Sequence, residues 1–137
     1  MKNSKIEKFA KKLVNAFIKN KIINPIPAKY TKTMKEAEKL RRLCESKIKQ
    51  PIVGFKAAGT GIPVLKKLGE KEPFYASIFK NNVLKSGKSI KINPYTLGIE
   101  LEVGFIIKKN FFQSKDLINF KNIHKYISHM VTAIEVV

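Results

Sequence analysis

Cysteine occurs once, at Cys44, in a chain of 137 residues. A single thiol excludes an internal disulfide and a cysteine-based zinc site, and it fits a reducing, cytoplasmic setting. Long apolar runs are missing too: nothing approaches the ~18 consecutive apolar residues of a membrane-spanning helix, so no span is expected. Arginine is scarce, with Arg41 and Arg42 set against 26 lysines. Base and phosphate readout favours arginine for its two-pronged donor geometry, and here the lysines are scattered along the whole chain. The formal charge of +18 is therefore read as lysine filling solvated positions, and nucleic acid is not the expected partner. A basic nucleic-acid-binding module stands as the lower-ranked alternative, because dense cations gain affinity for phosphate by counterion release. Phosphate-loop glycines are absent as well: Gly59-Thr60-Gly61 lacks the spacing of the Walker and dinucleotide motifs.

What the chain has is enough apolar bulk for a core. Nine Phe, four Tyr and eighteen Ile support one folded domain of mixed class. Residues 5 to 19 predict an amphipathic helix, with Ile6, Phe9, Ala10, Leu13, Val14 and Phe17 on one stripe and Lys8, Lys11, Lys12 and Lys19 opposite. Pro25 and Pro27 make Ile22 to Tyr30 an extended connector. Thr33 followed by Glu36 is a capping box, which predicts a second helix through Ala37, Leu40, Leu43, Cys44 and Ile48, closed by Pro51. Ile52 to Ala57 is strand-like and runs into a glycine turn and a short helix ended by Gly69. Residues 70 to 94 read as loop-rich, with Pro73 leading into Phe74, Tyr75, Ile78 and Phe79 and a short strand at Ser89 to Ile92. Ser114 or Asp116 is expected to cap a helix over Leu117 to Met130, which would carry His124 and His129. Their five-residue separation is not the helical metal-pair spacing, so neither is expected to be a ligand.

Ile99 to Ile107 carries the sharpest pattern. Its alternation predicts a strand with Ile99, Leu101, Val103 and Phe105 on one face and Glu100, Glu102, Gly104 and Ile106 on the other. Two carboxylates side by side repel unless water screens them, a cation lies between them or one takes a proton, so that face is either solvated or a site. A hard divalent cation needs at least one more oxygen ligand. The candidate is Glu135, in the β-branched segment Val131 to Val137, where it shares a face with Val131 and Ala133. Lys56 sits between Phe55 and Ala57 in the earlier strand. It is either a partly desolvated ammonium suited to proton transfer or a lysine on the outer face of an edge strand.

In this order, Val53-Gly-Phe-Lys56, Leu68-Gly69, Pro73, Glu100-Leu-Glu102 and Ala133-Ile-Glu135-Val-Val137 resemble the 2-keto-4-pentenoate hydratase and 4-oxalocrotonate decarboxylase family, relatives of fumarylacetoacetate hydrolase. The resemblance implies an α+β fold: N-terminal helices over residues 1 to 50, then the first part of a mixed β-sheet or roll of the fumarylacetoacetate hydrolase type over residues 51 to 137. It spans about the first half of a family member, so a truncated chain is expected. It implies a Mg²⁺ or Mn²⁺ site from Glu100, Glu102 and Glu135, with Lys56 as the acid/base residue and Lys56, Thr60 and Leu68 against the substrate. The implied substrate is a small 2-oxo or 2-hydroxy acid of aromatic-compound catabolism, hydrated or decarboxylated by a homo-oligomer or with a partner chain. The alternative is an inactive remnant or partner subunit. Departures are Phe74, where the family has an acidic residue, and Ala58 and Gly61 in the turn.

Overall fold

The computed structural model describes residues 2–92, 94–109, 111 and 117–137, with side chains from Lys5 onward. They form two compact units, Met1–Lys88 and Ser89–Val137. The architecture is α+β, with three α-helices and two antiparallel two-stranded sheets among the described residues.

In the first unit, α1 (Lys2–Ile18) follows the predicted stripe: Ala10 and Val14 are buried, while Lys8, Lys11 and Lys12 are exposed. Asn20 ends it in the left-handed region at φ 48, a conformation that asparagine tolerates better than most residues. There the Lys21 amide donates to the Ala16 carbonyl at 2.9 Å. After the proline connector, α2 (Met34–Glu45) starts on the predicted capping box. The Glu36 amide donates to Thr33 Oγ1 and the Thr33 amide to Glu36 Oε2, each at 3.2 Å. Two orphan amides are satisfied, which is worth about 1 kcal/mol to the helix. The helix stops at Glu45, one turn short of the predicted Ile48. Helices α1 and α2 pack on one another, and Leu40 is the buried residue of α2.

Strand β1 (Ile52–Ala58) pairs antiparallel with β2 (Phe74–Phe79), and α3 (Ile62–Leu68) lies between them in sequence. Gly69 closes α3 at φ 71, as its place after the apolar run predicts. Strand β2 corrects the expectation of loop over this stretch. Its apolar residues do not alternate cleanly, and pairing with β1 supplies what the pattern lacks. Two side chains of α2 reach β2. Glu45 Oε1 accepts the Ser77 amide at 3.3 Å, and the Arg41 guanidinium lies over the Tyr75 ring at 4.6 Å. Phe79 is buried with its ring 5.8 Å from that of Phe17.

In the second unit, β3 (Ile99–Ile107) has the predicted bounds and pairs antiparallel with β4 (Ile127–Val136). The expected strand at Ser89 to Ile92 is irregular chain. The expected helix over Leu117 to Met130 is also corrected. Leu117 to Asn119 has no regular structure, Ile123–Tyr126 is a short 3-10 turn, and Ile127 onward is strand. Its proposed caps, Ser114 and Asp116, lie outside the described residues. The reason is tertiary: β-branched Ile127, Val131, Thr132 and Ile134 can satisfy their backbone on β3, and a sustained ladder outweighs a weak helical period. Tyr126 is buried at the entry to β4, edge-on to Phe111 at 5.7 Å.

Candidate metal centre

Antiparallel pairing decides the geometry of the glutamates. Glu100 lies directly opposite Glu135, and Glu102 lies opposite Ala133, the next position on that face of β4. Directly opposed residues share a face, so the three carboxylates project from one side of the hairpin. Each offers an oxygen, and the three oxygens lie within 4.8 Å of one another; Glu102 and Glu135 are half-buried and Glu100 is exposed. The expectation that Glu135 joins the pair is met, although 32 residues separate it from Glu102 or more from Glu100.

Like charges opposed across a ladder cost stability, and water, a bound cation or a proton can each offset that cost. Ligand oxygens around a Mg²⁺ or Mn²⁺ ion at about 2.1 Å lie at most about 4.2 Å apart. Three octahedral ligands have at least two cis pairs, about 3 Å apart, so closing oxygens that lie within 4.8 Å of one another onto one ion asks for shifts on the order of 1 Å in each carboxylate, within the reach of glutamate torsions. Three carboxylates with room for water are the donor set of such an ion, whereas zinc favours nitrogen and sulfur.

The backbone beneath the cluster depends on Gly104, two residues beyond Glu102. A Cβ there would lie 2.9 Å from Val131 Cγ2, so the glycine admits the branched side chain opposite it. The sequence offered this signal as an isolated glycine inside a strand pattern, and its meaning emerged only with Val131 in register. His129 also projects from the glutamate face, opposite Ile106. It stands four residues from the position facing Glu102, about 13 Å at strand rise, so it is outside the cluster. His124 lies in the 3-10 turn. Neither histidine is among the three grouped acidic residues, and the helix on which their spacing was judged is replaced by a 3-10 turn and a strand.

The remaining predicted residues belong to the first unit. Lys56 is half-buried on the face of β1 that also carries Gly54 and Ala58, whereas Val53 and Phe55 are exposed. Strand β1 has one partner in a two-stranded sheet, so Lys56 is both partly covered and on an edge strand. Thr60 is exposed in the turn after β1, and Leu68 is exposed at the last residue of α3. Phe74 is half-buried at the start of β2, paired with Ala58.

Sequence reasoning did not anticipate the charged cluster on α2. Burial pushes the Glu45 carboxyl up, but hydrogen bonds from Ser77 and the Arg41 guanidinium outweigh it, and the group is held below the ordinary carboxylate value. Its i, i+4 spacing from Arg41 was the available signal. Burial, reinforced by the Glu45 charge, raises the Cys44 thiol, which disfavours the thiolate and hence nucleophilic reactivity. No family model matches the chain, and no curated protein or solved structure matches it.

Proposed function

We propose that this chain is a metal-dependent lyase resembling the 2-keto-4-pentenoate hydratases, with a β-roll of the fumarylacetoacetate hydrolase type and a small 2-hydroxydienoate as substrate. One observation carries it. Three glutamates far apart in sequence meet on one sheet face within 4.8 Å, in the grouping that the resemblance assigns to a metal. Glu100, Glu102 and Glu135 would hold Mg²⁺ or Mn²⁺. When bound, such an ion supplies charge stabilisation for an enolate-like 2-oxo acid. Lys56 is assigned the proton transfer, and its partly covered position on β1 supports a role beyond solvated charge. Thr60 and Leu68 are assigned substrate contacts. Phe74 can neither orient water nor move a proton, which favours the decarboxylase alternative for any activity that does not require hydration.

Calorimetric titration of Mn²⁺ into the wild type and Glu102→Ala is the test. Binding in the wild type that weakens at least tenfold in the variant is expected. Identical traces without heat would remove the metal centre and the lyase with it.

A second function has its own observation. Lys5, Lys8, Lys12 and Lys29 line a cleft of about 330 Å³ beside Phe9, Pro27 and Tyr30. The two aromatic rings lie 5.0 Å apart, with Lys29 5.4 Å from the centre of the Tyr30 ring. Lysines beside aromatic surface suit a single-stranded polyanion. Anisotropy of a labelled oligonucleotide should rise with the wild type and lose at least tenfold in affinity with Lys8→Glu/Lys12→Glu. Equal binding by the two proteins would discard the cleft.

A further inference from the structure

The lysine cleft has two walls, and all of its residues belong to the first unit. Lys5, Lys8 and Lys12 stand at i, i+3 and i+7 on α1, a row on one helix face that rises about 10 Å. The second wall is the 3-10 turn Ala28–Tyr30. Pro27 leads into it with φ at −56, and the Tyr30 amide donates to the Pro27 carbonyl at 3.0 Å. The backbone that carries Lys29 and Tyr30 is therefore fixed by a ring-locked residue and a closed turn. Charge of one sign dominates the surroundings. Residues 1 to 35 hold ten lysines and one acidic residue, Glu7, and Glu7 lies one or two positions from Lys8 and Lys5, which places it off their row.

The aromatic rings decide what such a cleft can read. A base is bound by stacking on a ring face. Here Phe9 and Tyr30 contact each other, with centroids 5.0 Å apart and planes tilted by 48°. Lys12 Nζ lies over the Phe9 ring at 6.0 Å and Lys29 Nζ over the Tyr30 ring at 5.4 Å. An ammonium over a ring is held by the ring's quadrupole and occupies the face on which a base would stack. The rings thus place two cations at the cleft, one on each wall, instead of offering two platforms.

We propose that this cleft recognises a linear chain of phosphates and does not read bases, a proposal that rests on the reading of the cleft as a polyanion site. The shared chemistry is that of a phosphodiester backbone or a condensed polyphosphate. A stacked single strand carries one charge about every 3.4 Å along its axis, so the α1 row spans about three phosphates, with Lys29 reaching the chain from the other side. The volume of about 330 Å³ is at the small end of ligand sites, which fits a short stretch of chain and not a folded nucleic acid.

Fluorescence anisotropy with the full chain tests this, using a labelled oligothymidylate, a labelled abasic strand of the same length and unlabelled inorganic tripolyphosphate as competitor. The two strands should bind within about threefold of each other, and tripolyphosphate should displace both. Displacement at lower phosphate concentration than an unlabelled abasic strand requires would name condensed polyphosphate as the preferred source, and the reverse order the phosphodiester backbone; either supports the proposal. The plot of log affinity against log salt should have a slope no steeper than about −3, at about −0.7 for each of four lysines. Lys29→Gln should reduce that slope by about 0.7 and weaken both strands alike. A preference above fivefold for the strand with bases, or no displacement by tripolyphosphate, would overturn the proposal while leaving the cleft as a binding site. A slope steeper than about −5 that ignores Lys29→Gln would overturn it as well, because the charge would then be spread over the chain. Binding unchanged in Lys8→Glu/Lys12→Glu would discard the cleft itself, and this proposal with it.

Discussion

The two hairpins of this molecule are similar in size and differ in what lies against them. The β1–β2 hairpin is reached by two side chains of α2, with Glu45 holding the Ser77 amide and Arg41 over Tyr75, and its Phe79 packs beside Phe17. Hairpin β3–β4 has a longer ladder, with glutamates on one face and apolar residues such as Leu101 and Ile134 on the other. Alternation alone therefore does not say whether an apolar face is interior. A helix stripe that precedes a hairpin in the chain can bury part of it, as Phe17 does beside Phe79. The first hairpin buries Phe79 but exposes Val53 and Phe55, and the second brings three carboxylates together on one face and exposes apolar residues on the other.

The largest way to break this contrast is to remove the helical support. Leu40→Ala deletes the buried residue of α2 and should destabilise the first unit by about 3 kcal/mol. Hydrogen exchange should accelerate in α1, α2 and β2 while β3 and β4 keep their protection; equal acceleration in both hairpins would show that they do not fold as separate units.

Gly104→Ala sharpens the comparison from the other side. The added methyl meets Val131 Cγ2 at 2.9 Å, and a branched side chain cannot swing away cheaply. A loss of about 1–2 kcal/mol in the second unit is expected, measured by exchange of the β3 and β4 amides at fixed protein concentration. Val131→Ala in the same chain should recover most of it. Failure of that rescue would place the cost elsewhere than in the cross-strand contact.

The smallest effect is a dependence on pH. Glu45 is held below its ordinary value of 4.5, so the folded state binds its proton less readily than the unfolded state does. The stability it contributes is therefore complete above about pH 4.5 and is lost as pH falls through the depressed folded value. Between about pH 5 and pH 3 the melting temperature of the first unit should fall further in the wild type than in Glu45→Gln, as followed by circular dichroism. Parallel curves would mean that the Arg41 and Ser77 contacts contribute nothing in solution.

Both the legible and the illegible parts of this fold have physical reasons. Helix α1, the capping box of α2, the Gly69 stop and the bounds of β3 are set by contacts within a few residues, and each could be read directly. Strands β2 and β4 could not, because their conformation depends on a partner strand far away in sequence; Ile127 to Met130 has a helical period as acceptable as its strand content. For the candidate site, the sequence supplied the three glutamates and the face each would occupy on its own strand. It could not supply the role of Gly104 or the covered side of β1.

By itself the sequence determined which side chains alternate, where helices start and stop, and that Glu100 and Glu102 must project together, since periods of 2 and 3.6 residues follow from local backbone geometry. Only the tertiary structure decided that Glu135 stands across from Glu100 and that Leu101 pairs with Ile134 on the opposite face of the same hairpin. Register is fixed by the full set of hydrogen bonds along two strands, and exposure by what else the chain brings to the surface. Neither quantity belongs to any one segment, so neither can be read from one.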